Sequence, residues 1–196
     1  ESVPTLQNGG ISADGRTVTY KLKKGITWHD GQAFTAADVK FTWQLIMNRK
    51  TNAVSREGYE QIIAVDTPDP NTVVVRFKEY YLPYLTLFST ILPQHLLANV
   101  DDLTKSNFNR EPVGTGPFKV KEWMIADSIT LIANTNYYRG KPVLDKIHYK
   151  FIPDYNILLS QIKAGEIDIV SNVPFAQIDS LRGIQEANIV ISPGTL

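Results

Sequence analysis

At 196 residues the chain is long enough for one large domain or two small ones, each with a real core. Its 20 basic and 20 acidic side chains cancel, which removes any charge-based reason to expect nucleic acid or an anionic membrane surface as partner. There is no cysteine, and this excludes a disulfide framework, thiolate metal sites and thiol nucleophiles together.

The first residues, Glu1 to Thr5, carry neither a basic stretch nor an apolar core, so the chain reads as a cut-out or processed segment without a signal peptide. No apolar run approaches the ~20 residues that span a bilayer. Thr17 to Leu22 alternates, with Val18, Tyr20 and Leu22 on one face, and predicts a half-buried strand. Gly25 and Asp30-Gly31 punctuate tight turns around Ile26-Thr27-Trp28.

A helix is predicted over 35–50. Thr35 serves as N-cap, Asp38 completes a capping-box pattern, and Phe34 is placed to staple onto Val39. Val39, Trp43, Ile46 and Met47 form an apolar stripe at helical spacing, and Arg49-Lys50 suit the negative end of the dipole. Ile62 to Val65 and Thr72 to Lys78 flank a turn dense in Pro, Asp and Asn, which predicts a hairpin across 62–78. Tyr80 to Phe88 is an aromatic stretch, helical after Pro83, and Pro93 opens a short helix through Ala98.

Beyond Glu111-Pro112 the pattern changes. Gly114-Thr115-Gly116-Pro117 leads into a strand from Phe118 to Trp123, paired with a return strand from Ser128 to Ala133. A β-α-β-α-β order follows: a strand over Ile147 to Ile152, a helix capped by Asp154 and stopped by Gly165, a strand over Ile167 to Val170, a helix from Pro174, and a strand over Asn188 to Ile191. Such alternation argues for a mixed α/β fold with a partly parallel, covered sheet.

The candidate chemistry is sparse. Gly114 to Phe118 does not fit a phosphate loop, because Pro117 removes a donor and a strand follows where a helix is needed. His29, His95 and His148 lie too far apart in sequence for a helical metal pair, so no metal site and no cofactor are expected. There is no G-x-S-x-G elbow, so nothing in the sequence marks a serine nucleophile. Tyr80, Tyr81, Tyr84, Phe88 and Tyr59 either wall a ligand cleft or pack in the core, and core packing is the reading for Tyr84 and Phe88.

Four segments together carry a resemblance. They are the run from Tyr20 to Val39, with Lys23-Lys24-Gly25, His29-Asp30-Gly31 and the capped helix start; Pro112 to Phe118; Asn134 to Pro142 followed by Leu144 to Ile147; and Ala164 to Ile169. In this order they resemble the family 5 extracellular solute-binding proteins of bacterial ABC importers. The resemblance implies a type II periplasmic-binding-protein fold, with residues 1–112 as the small inserted lobe and 113–196 as part of domain I. It also implies that the second ligand-gripping domain is not within this stretch.

By the same resemblance the protein is a non-catalytic, monomeric receptor, periplasmic or extracellular and lipid-anchored in some members. It captures a peptide or similar small polar solute and docks on an ABC permease. Nickel chelates and oligosaccharides are the alternative ligands. The cleft-facing stretches it implies contain Arg56 and Tyr59, Ser89 and Thr90, and Asn172, Val173 and Pro174. Arg56 is either a bidentate partner for a ligand carboxylate or a solvated arginine. A remote alternative is a hydrolase using His29 and Asp30, and a third is a sensor or chaperone-like module presenting ligand to another protein.

Overall fold

The computed structural model describes residues 2–171, 173–184 and 188–190, which fold into two compact units. The first comprises residues 2–124 with 129–149, and the second residues 125–128 with 150 onward.

In the first unit, β1 (Thr17–Lys21), β2 (Ile62–Asp69) and β3 (Thr72–Phe77) form an antiparallel sheet in the order β1-β3-β2. The register sets Val18 opposite Val75 and Val65 opposite Val75. One row of three β-branched side chains thus crosses the sheet, and all three are buried to within 2% exposure. β-Branched residues suit such a surface because their stiff χ1 packs without much further loss of freedom. Tyr20 and Leu22 pack against the same cluster, as the alternation predicts.

Helix α1 (Ala36–Met47) lies on this core through Ala36 and Val39. Its start matches the sequence expectation. The Thr35 hydroxyl accepts from backbone N–H groups of the first turn, and the Asp38 carboxylate accepts the Thr35 N–H at 2.9 Å. Its end does not. The helix stops at Met47, with no basic side chain in its last turn. Asn48 leaves helical geometry, and its side-chain oxygen takes the Lys50 N–H at 3.0 Å. A local side-chain bond of this kind competes with the helical ladder and ends it before Arg49 and Lys50.

After a distorted 3₁₀ turn at Leu82–Thr86, α2 (Gln94–Leu97) follows Pro93. The second sheet consists of β4 (Phe118–Met124), β5 (Ser128–Ala133) and β6 (Lys146–Lys150), in that order. Thr130 and His148 stand side by side on it, with Oγ1 and Nδ1 2.9 Å apart.

In the second unit, α3 (Tyr155–Lys163) is capped by the Asp154 carboxylate, which accepts from Asn156 and Ile157 N–H. Gly165 closes it at φ +70°, a conformation that costs glycine little. α4 (Ile178–Arg182) follows, with the Tyr155 hydroxyl bonded to Gln177 O at 3.1 Å.

The β-α-β-α-β expectation needs correction here. Residues 167–170 are not a strand, and Ile169 is 86% exposed. Residues 188–190 are not a strand either, while Ile191 lies outside the described residues. A strand exists only by hydrogen bonding to a neighbour. Among the described residues no segment supplies that neighbour to either run.

Candidate functional site

The turn carrying His29 is built from local bonds. Trp28 N–H reaches Gln32 O at 2.7 Å, and Gly31 adopts φ +91°. This small loop presents His29 to the segment 114–119. There the Nδ1 atom accepts the Gly114 N–H at 3.1 Å, while Nε2 lies 3.0 Å from Gly116 O. The main chain adds His29 N–H to Gly114 O at 2.8 Å, and the Lys119 ammonium donates to His29 O at 2.7 Å.

A backbone N–H can only donate and a carbonyl can only accept, so the imidazole is the neutral tautomer with its proton on Nε2. Burial holds its pKa below 6.5, with the Lys119 charge acting in the same direction. The Gly116 bond and Asp30 pull the other way and are outweighed.

Asp30 does not face this imidazole as a catalytic partner would. Its Oδ2 pairs with His95 Nε2 at 2.6 Å, and its Oδ1 accepts the Gln32 N–H. Both His29 nitrogens are occupied by main-chain groups, so neither is free to accept a proton from water. Among the described residues no three His, Asp or Glu side chains gather as a metal set. An open cavity of 620 Å³ adjoins the turn, with Arg110, Lys119, Lys121 and Trp123 in its wall and Arg110 over the Trp123 ring at 5.4 Å.

The structure treats the implied ligand-facing residues differently from one another. Arg56 donates through Nη2 to Asn48 O and to Thr51 O, at 3.2 and 2.6 Å, and so fastens the loop after α1. The Tyr59 hydroxyl accepts the Phe88 N–H at 2.8 Å, and the two rings meet edge to face. Ser89 and Thr90 are exposed in the first unit. In the second unit Val173 is half-buried and Pro174 exposed, while Asn172 lies outside the described residues.

Sequence reasoning missed the part Asp38 plays beyond its cap. Its buried carboxylate also accepts the Gln94 N–H at 2.9 Å, with Trp28 Nε1 at 3.4 Å.

Residues 3–196 match the family described as bacterial extracellular solute-binding proteins, family 5 Middle. The chain belongs to that family. Family 5 is where the Bacillus subtilis oligopeptide-binding protein AppA stands as a relative, 37% identical over 97% of this chain and 35% of its own length. The structure of AppA in complex with a nonapeptide superposes with a TM-score of 0.80 at 33% identity, covering 89% of this chain and 36% of that one. NikZ of Campylobacter jejuni, in complex with Ni(L-His), gives 0.80 at 31% identity over 89% and 35% of the two chains. The ABC transporter substrate-binding protein CtaP of Listeria monocytogenes gives 0.75 at 33% identity over 81% and 33%.

The chain therefore has the mixed α/β architecture of part of a type II periplasmic binding protein, and it spans about a third of the length of the relatives it matches. These family 5 relatives are binding proteins, AppA named for oligopeptides and CtaP for an ABC transporter.

Proposed function

We propose that this chain is part of the substrate-binding component of an ABC importer. It captures a peptide or similar small polar solute outside the cytoplasmic membrane and hands it to a permease, with no catalytic step. The observation that carries this reading is the 37% identity to an oligopeptide-binding protein, supported by a TM-score of 0.80 against that protein with a nonapeptide in place. The wholly structural use of His29 and Asp30 supports the absence of chemistry.

In this reading residues up to Pro112 are the small inserted lobe, and Val113 begins part of domain I. His29 then stitches the lobe to the crossing segment. The receptor works as a monomer in the periplasm or at the cell surface, held there by a lipid anchor where it has one. Ser89 and Thr90, exposed in the first unit, are the proposed ligand contacts there, while Arg56 and Tyr59 hold backbone of the same unit in place. A nickel chelate is the second reading, favoured by the equal TM-score of the Ni(L-His) complex.

The test is mass spectrometry of small molecules that co-purify with the full-length protein, followed by calorimetry. Peptides recovered and bound at micromolar affinity or tighter fit the proposal. A nickel complex alone would replace it with the second reading. Ligand burial needs walls on both sides, so residues 1–196 alone should bind poorly, and tight binding by this segment would refute the two-walled account.

A further inference from the structure

Residues 87–93 form an irregular run, and its backbone and that of its flanking residues Tyr84 and Gln94 are fastened by side chains from distant parts of the chain. Tyr20 Oη donates to Tyr84 O at 2.9 Å. The Tyr59 hydroxyl accepts from Phe88 N–H, Thr42 Oγ1 from Leu92 N–H at 2.9 Å, and the Asp38 carboxylate from Gln94 N–H. Thr42 passes its own proton to Asp38 O at 2.8 Å, so its hydroxyl is used in both directions.

Within this run Phe88 has φ +58°, in the left-handed region that a side chain bearing Cβ rarely adopts. A residue is held there only when its surroundings over-determine it, and such strain collects at ligand clamps. Tyr59 supplies that constraint twice, through its hydroxyl and through the ring contact at 5.4 Å and 88°. Just beyond, Ser89 and Thr90 are exposed. Among the described residues, the N–H and C=O groups of Ser89, Thr90 and Ile91 have no hydrogen-bond partner.

We propose that Tyr59 is a positioning residue, which holds Phe88 in its left-handed turn and so presents the free backbone edge of residues 89–91 to the main chain of an extended peptide. The inference rests on the peptide reading above. Main-chain bonding of this kind grips a peptide whatever its side chains are. An edge ordered before the ligand arrives spares the complex the cost of ordering it.

The test uses the full-length protein and alanine-based peptides of two to nine residues. Tyr59→Phe keeps the ring and removes the acceptor. Its Kd should weaken by about tenfold, with a less favourable binding entropy. The amides of 88–92 should exchange faster in the free protein and regain protection when peptide saturates it. Thr42→Val, which releases Leu92, should act in the same direction.

An unchanged Kd in Tyr59→Phe overturns the inference, as does a lower Tm with Kd intact, the mark of a purely structural tyrosine. A weaker Kd with the 88–92 amides still protected also overturns it. If the wild-type protein binds no peptide at all, the functional reading fails and takes this inference with it. Wild-type binding with an unaffected variant fails the inference alone.

Discussion

Replacing His29 by alanine removes two side-chain hydrogen bonds, from Gly114 N–H and to Gly116 O. Each neutral bond contributes about 1 kcal/mol net, and a stranded N–H costs more. Gly116 O keeps the Asn134 side-chain N–H at 3.0 Å, so only Gly114 is orphaned. His29 is half-buried, and water can partly replace it there. A loss of about 2 kcal/mol is therefore expected at roughly pH 7.5, read as a urea midpoint shift at constant slope.

The pH dependence follows from linkage. The folded-state pKa of His29 lies below 6.5, so as pH falls through 6.5 the unfolded chain takes up a proton that the folded one resists. The stability His29 provides is thus fully present above 6.5 and lost on acidification. The gap between wild type and His29→Ala should narrow as the pH drops below that point. Asp30 does not blur this window. Burial pushes its carboxyl up, but the bonds from His95 and the Gln32 N–H hold it below 3.8, so its share is lost only at more acid pH. A gap that widens on acidification, or one under about 0.5 kcal/mol at neutral pH, would refute the account of His29 as a neutral double-ended tie.

Asp38→Ala strands the Thr35 and Gln94 N–H groups and releases Trp28 Nε1, all around a buried carboxylate. A loss of about 2–4 kcal/mol is expected by denaturant titration, with Asp38→Asn milder because one acceptor survives. Gly58 sits at φ +79°, and a Cβ there would fall on the Tyr81 hydroxyl and on Leu87. Gly58→Ala should therefore lower stability by about 1–3 kcal/mol, seen as a lower Tm, and an unchanged Tm would show that the loop can shift.

Much of the first unit could be read from the sequence because its signals are local. The Thr35 and Asp38 capping box, the alternation of Val18, Tyr20 and Leu22, and the turn between Val65 and Thr72 each occupy a few consecutive residues. The ties made by His29 were not readable. They join residues 85 and 87 positions apart, and nothing near His29 in sequence distinguishes a lone surface imidazole from a main-chain staple.

The same holds for Tyr59. The sequence leaves it either walling a ligand cleft or packing in the core, and the bond its hydroxyl accepts from Phe88 N–H joins residues 29 positions apart. The 167–170 run shows the opposite limit. Its short apolar composition reads as a strand, but composition cannot supply the partner that makes one, and Ile169 remains exposed.

The first sheet has a further consequence for the behaviour of the protein at high concentration. The outer rim of β1 is already occupied, since Thr19 N–H bonds Gly10 O and Ser12 N–H bonds Thr17 O. The outer rim of β2 is interrupted by two register shifts and by Pro68, which has no N–H to give. A second molecule looking for a strand to zip onto finds no continuous ladder on either side, which protects against intermolecular β-pairing and aggregation.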